Sequence, residues 1–154
     1  MEKRLSQIRD IELIEKELNS ANVGIAALCI KDENIIQKAT TYIYLDKNIY
    51  FFFNIDSELY EKIQFDTSAS FTILKNEKAK KNSENFKSIY HVISISILGL
   101  VKKVDEQKLL EELRKSYLKK YSRNSSMTKE NSALLGKSII IDTEEIQAFE
   151  EIGG

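Results

Sequence analysis

Three consecutive phenylalanines, Phe51-Phe52-Phe53, follow Ile49 and Tyr50 in a run too short for a buried helix and too apolar for a loop. Aromatic and β-branched composition favours a strand, and in a strand successive side chains point to opposite faces. Tyr50 and Phe52 then face one way and Phe51 and Phe53 the other. Both faces must be covered, as at a barrel wall beneath a helix or at a subunit interface.

The segments around this run extend the pattern. Tyr42–Leu45 and Ile49–Phe53 flank the polar turn Asp46-Lys47-Asn48, which reads as a hairpin. Ser57 is placed as the N-cap of a short helix running to about Phe65, with Leu59 and Ile63 on one face. Alternation returns in Ala69–Leu74 as a further strand. Upstream, Ile11, Ile14 and Leu18 stand at helical spacing behind Asp10, which predicts a capped amphipathic helix plugging one end of a barrel. Val23–Ile30 is an apolar strand whose small residues at 24, 26 and 27 would admit another backbone or a flat ligand, and Ile35–Thr41 is its successor. Tyr90–Val104 alternates cleanly, with Gly99 as a bulge or bend. Asp105 would cap a helix striped by Leu109, Leu110, Leu113, Tyr117 and Tyr121, and Ser138–Phe149 closes the chain as a strand pair or one bent strand. Residues 75–88 and 122–136 read as polar connections. This order suggests an α+β domain built on a small closed barrel.

Composition narrows the function classes. At 154 residues, 42% hydrophobic and 31% charged, the chain has the length and balance of one globular domain. A net charge of −1 supplies no global field for nucleic acid or anionic lipid, and the lysines of 75–88 are interleaved with glutamates in the manner of a solvated loop. The charged start lacks a signal-peptide core, and no apolar run approaches a membrane span. With one cysteine the expectation is a cytoplasmic protein without disulfides, Cys29 being a buried small hydrophobe. No nucleophile elbow, phosphate loop or metal-binding pair of histidines occurs. His91 is the sole histidine.

The small-residue strand GIAALCIKDEN, the hairpin TTYIYLDKNIYFFF, the run KIQFDTSASFTIL, the strand YHVISISILGLVKKVDE and the closing IIIDTEEIQAF resemble, over nearly the whole chain, the FMN-binding split-barrel proteins related to pyridoxamine 5′-phosphate oxidase. The similarity is strongest to their small bacterial branch of nitroimidazole-resistance-like proteins. The resemblance implies a single α+β domain over 1–154, a mostly antiparallel split barrel of six to eight strands with two or three flanking helices. Its parts would be an N-terminal helix at about 8–20, a barrel at about 22–104, a helix at about 105–121 and final strands at about 137–150. It further implies a homodimer holding FMN between two barrels. In relatives the strand matching Lys38–Tyr42 lies along the flavin, which makes Lys38, Thr40 and Thr41 cofactor candidates. The segment matching Phe53–Lys62 cradles the phosphate, adding Phe53, Ser57 and Lys62, and His91 stands near a position where relatives often carry a basic residue. An ungapped match puts Glu58 and Leu59 where relatives often have the phosphate-binding lysine, with Lys62 one turn beyond. The activity implied is FMN-dependent oxidoreduction of a small molecule, with no nucleic-acid or membrane partner. The alternatives are a non-catalytic flavin- or haem-binding protein, with His91 as a haem ligand, and a cofactor-free dimer serving as an interaction or stress module.

Overall fold

The structure is a computed structural model that describes residues 3–54, 57–78, 90–122 and 136–153. Most of the two expected polar connections falls on 79–89 and 123–135, outside the described residues; residues 75–78 belong to a strand.

In chain order the elements are β1 (Arg4–Gln7), α1 (Ile11–Ser20), β2 (Gly24–Ile30), β3 (Asn34–Thr40), β4 (Ile43–Leu45), β5 (Asn48–Phe53), α2 (Glu58–Lys62), β6 (Ser68–Lys78), β7 (Tyr90–Val104), α3 (Gln107–Tyr121) and β8 (Lys137–Gly153). The strands form one antiparallel sheet in the order β3-β2-β6-β7-β8-β5-β4, with β1 added along β8. The barrel is therefore split and not closed: β3 and β4 are unpaired ends of the path. An isolated bridge between Ile30 and Ile63 links the two sides. β1 carries no apolar alternation and is exposed throughout, so nothing in its composition announced a strand.

The two faces of β5 are covered as the phenylalanine run requires. Ile49, Phe51 and Phe53 enter the barrel core beside Phe71, Ile95, Ile97, Ile139 and Ile141. Tyr50 and Phe52 lie in a second cluster with Ile43, Val104 and Leu113, under the Leu109, Leu110, Tyr117 and Tyr121 stripe of α3. Each fully buried aromatic is worth about 1.5–3 kcal/mol of transfer free energy, so both clusters contribute to holding one strand. The β4–β5 turn has two residues, Asp46 (φ 49°) and Lys47 (φ 69°), and this double left-handed geometry matches the twist of the flanking strands.

The helix termini are mixed. Asp10 caps α1, its Oδ1 accepting from the amides of Glu12 (3.1 Å) and Leu13 (3.4 Å). Ser57 occupies the N-cap of α2, but its side chain makes no cap bond, and the helix stops at Lys62, short of Phe65. Glu106, not Asp105, is the N-cap of α3, again without a side-chain bond. The final segment is one long strand. Gly24 is small for an internal reason: an added Cβ would stand 2.1 Å from Cε1 of Phe71, so the space admits an aromatic ring of the core.

Gly99 sits where the β7–β8 register shifts, between Leu98 and Gly99. A Cβ there would approach the carbonyl oxygen of Asp142 to 2.0 Å, backbone that cannot rotate away. Gly99→Ala is expected to lower stability by about 1–3 kcal/mol, the usual cost of overpacking, read as a reduced urea midpoint; an unchanged midpoint would remove the bulge from the requirements of the fold.

Candidate functional site

The candidate residues from the sequence fall into two neighbouring groups and one outlier. At the first group, the Lys38 ammonium of β3 lies 4.5 Å from the centroid of the Phe53 ring. Phe53 in turn meets Tyr60 of α2 edge-on at 5.9 Å, and Tyr60 meets Phe65 at 5.6 Å. Because β3 and β5 belong to opposite halves of the sheet path, this contact closes the end of the split. Among the described residues Lys38 makes no ion pair, so its charge is compensated only by the ring face and by solvent. Two further lysines surround the same aromatics: Lys137 lies 4.5 Å from the Tyr60 centroid, and Lys103 lies 5.0 Å from that of Phe65. Lys137 is also paired with Glu61 at 3.0 Å, and that hydrogen bond lowers the carboxyl pKa of Glu61. Ser57 donates its backbone amide to the Asn54 carbonyl at 3.0 Å, and Lys62 is exposed on the last turn of α2.

The second group surrounds the junction of β3 and β4. Thr40 Oγ1 donates to its neighbour's carbonyl at 3.0 Å, and Thr41 Oγ1 shares a hydrogen bond with the Tyr117 hydroxyl, also at 3.0 Å. Tyr121 grips Tyr42 by its backbone: the hydroxyl oxygen accepts from the Tyr42 amide at 3.0 Å. Its one proton lies within reach of two carbonyls, Asn22 at 2.8 Å and Tyr42 at 2.9 Å. The Tyr42 side chain is buried, its hydroxyl donating to the Leu18 carbonyl of α1 and its ring tilted on Phe71 at 4.7 Å. Burial pushes its phenol far above the ordinary tyrosine range, so it stays a donor at any physiological pH.

Lys120 completes this group and was not singled out from the sequence, although it lies seven residues beyond Leu113 and three beyond Tyr117, on the apolar stripe of α3. Its ammonium donates to the Tyr42 carbonyl at 3.1 Å and stands 3.9 Å over the Tyr42 ring. No carboxylate pairs with it among the described residues, and burial lowers its pKa from 10.5 to about 8.

His91 lies apart from both groups, at the far end of β7, where its Nε2 stands 2.6 Å from Glu150 Oε1. Cys29 is half-buried, its thiol 3.6 Å from the Ser68 carbonyl. Among the described residues no cluster of histidine, cysteine and carboxylates of metal-binding size occurs, and no helix is long and apolar enough to cross a membrane.

The Lys120 titration has a definite sign. Below about pH 8 folded and unfolded chains both hold the proton; between about 8 and 10.5 the folded chain has released it and the unfolded chain has not, so stability rises with pH across that window. Lys120→Met, which keeps the aliphatic stem on the Tyr42 ring, is expected to remove that rise. Denaturant midpoints of both proteins measured across this alkaline range give the test, and parallel profiles would mean that Lys120 keeps an ordinary pKa.

No protein-family model and no curated protein matches the sequence. Solved structures do match. A candidate 5-nitroimidazole antibiotic resistance protein from Bacteroides thetaiotaomicron superposes with a TM-score of 0.79 at 10% identity, covering 100% of this chain and 93% of its own. An FAD-binding protein from Mycobacterium smegmatis gives 0.64 at 9% identity, over 96% and 99%. A candidate pyridoxamine 5′-phosphate oxidase from Corynebacterium glutamicum gives 0.59 at 13% identity, over 96% and 98%. What this chain shares with them, end to end, is architecture: it has the split-barrel fold of the proteins related to pyridoxamine 5′-phosphate oxidase.

Proposed function

We propose that the chain binds a flavin, FMN in the first instance, along the edge formed by Lys38, Thr40 and Thr41 and at the end formed by Phe53, Ser57 and Lys62. The observation that carries this reading is the Lys38 ammonium on the Phe53 ring, without a carboxylate partner among the described residues. It stands where the two segments assigned to the flavin by resemblance meet. A cation held this way suits a phosphate, and Lys62 adds a second cation one turn beyond Glu58 and Leu59, which stand at the position where relatives often have the phosphate-binding lysine. Thr40 and Thr41 offer short hydroxyls and backbone groups on a strand that α3 holds in position. A bound flavin supplies the hydride and electron transfer; the residues here bind and orient it. Oxidoreduction of a small molecule is the activity this supports, and the split-barrel relative that binds FAD makes the larger flavin the natural competitor.

Self-association belongs to the same reading. The outer face of β2, β6 and the first half of β7, away from the Val104 end that α3 covers, presents Ile25 and Leu74, 40% and 61% exposed, among small residues such as Ala27, Thr72, Ser94 and Ser96. A second copy covering that face would bring two edges together around the flavin. The haem alternative is weaker, because the Nε2 of His91 is engaged by Glu150.

The absorption spectrum of the purified protein, taken after FMN or FAD is added and the excess removed, decides the reading. Retained flavin is expected for the wild type, with retention lost in Lys38→Glu and in Lys62→Glu while the melting curves stay within a few degrees. A wild type that keeps neither flavin overturns it, and retention in both variants overturns the phosphate assignment.

A further inference from the structure

Strands β2 and β6 are partners only from the pair Ile25 and Thr72 to the pair Ala27 and Ser70, whereas β6 runs on along β7 as far as Lys78. Upstream of Gly24 the chain turns away into α1, so the two strands part. A recess of about 390 Å³ occupies the gap, with Glu17, Ser20, Asn22, Val23, Leu74 and Lys75 among its walls. That volume is within the range of sites that take small molecules.

The floor of the recess is charged. Glu17 is 5% exposed and follows Ile14 on the buried stripe of α1. A carboxylate is seldom kept in such a place unless it is paired, and the Lys75 ammonium lies 2.9 Å from its Oε1. Oε2 accepts no hydrogen bond among the described residues, and it is not one of the atoms sealed from solvent, so it opens on the recess. Lys75 stands two residues beyond Ile73 on β6 and therefore points, like Ile73, to the core side of the sheet. Carboxylate and ammonium thus meet on one face. The end of α1 biases the floor further: its last turn holds no basic residue, so nothing on the helix offsets the negative end of its dipole.

Such a floor has two poles and no net charge. A lone cation is opposed by Lys75, and a lone anion by Glu17 and the helix end; a ligand carrying both charges meets both poles. Where the strands part, Val23 and Leu74 are 52% and 61% exposed and leave an apolar surface for the rest of the ligand. We propose that this recess binds a free α-amino acid with an aliphatic side chain. Its ammonium lies on Glu17 Oε2 at the α1 end, its carboxylate on Lys75, and its side chain in the gap beside Val23 and Leu74. None of these residues belongs to the edge assigned to the flavin, so the site stands without that reading. Leu74 is shared with the face assigned to self-association, but the Glu17 and Lys75 floor is on the other side of β6.

Calorimetric titration with L-leucine tests it, beside isoamylamine and isocaproate, each of which keeps the leucine tail and only one of its charges. Saturable binding of leucine is expected, with a raised melting temperature, and both single-charge analogues should bind about tenfold or more weakly. Glu17→Gln keeps the shape of the floor and leaves Lys75, 44% exposed, able to turn to water; it should weaken leucine binding about tenfold or more. Three results overturn the site: no saturable heat with leucine, valine, isoleucine or methionine; isoamylamine or isocaproate bound as tightly as leucine; or unchanged leucine affinity in Glu17→Gln. Should that variant not fold, Val23→Asp, a change at an exposed position ahead of β2, replaces it, and unchanged leucine affinity there overturns the site by itself.

Discussion

Tyr42 is the point at which the separate parts of the molecule become one. Its hydroxyl bonds the C-terminal end of α1, its ring packs on β6 through Phe71, and its backbone amide and carbonyl are held by Tyr121 and Lys120 of α3. Both unpaired ends of the sheet path, β3 and β4, run into this residue. A closed barrel needs no such node, because its strands fix one another. In a split barrel the junction of the two free ends must be secured by side chains, and burying a tyrosine is practical only when its hydroxyl finds an acceptor.

The same constraint explains the placement of charge. The open edge leaves backbone and polar groups that the sheet does not consume, and lysines collect there: Lys38 on Phe53 and Lys120 on Tyr42. Ring faces accept a cation without introducing a counter-charge, so part of the positive potential survives at the edge. Glu17 shows the opposite solution. It is buried on α1, and Lys75 of β6 neutralises it at 2.9 Å, which ties that helix to the sheet and leaves little field behind.

Legibility in the sequence followed the strength of the periodic signal. β7, β5 and the α3 stripe stand out because one or both faces are apolar over several turns or pleats, and the structure buries those faces. β1 was invisible because an exposed strand gains its stability from a neighbour's backbone, not from its own side chains. Caps failed where a suitable residue was present without suitable geometry: Ser57 and Asp105 have the right chemistry, yet neither caps its helix with its side chain. Lys120 carries no local signal, since a lysine in the last turn of a helix at the edge of an apolar stripe has the same pattern as a solvent-facing one. Its pairing with the Tyr42 carbonyl joins residues 78 positions apart, which no local pattern encodes.

The β3 edge and the face beneath α3 therefore carry different kinds of incompleteness. At the β3 edge the incompleteness is electrostatic: ammonium groups balanced by rings, on strands whose hydroxyls are satisfied locally. Beneath α3 it is one of hydrogen bonding: the buried Ser138 hydroxyl is unpaired, and Glu106 makes no side-chain cap bond. Stability alone would favour alanine at 138 and a capping aspartate or serine at 106, since each is a common, single-residue repair.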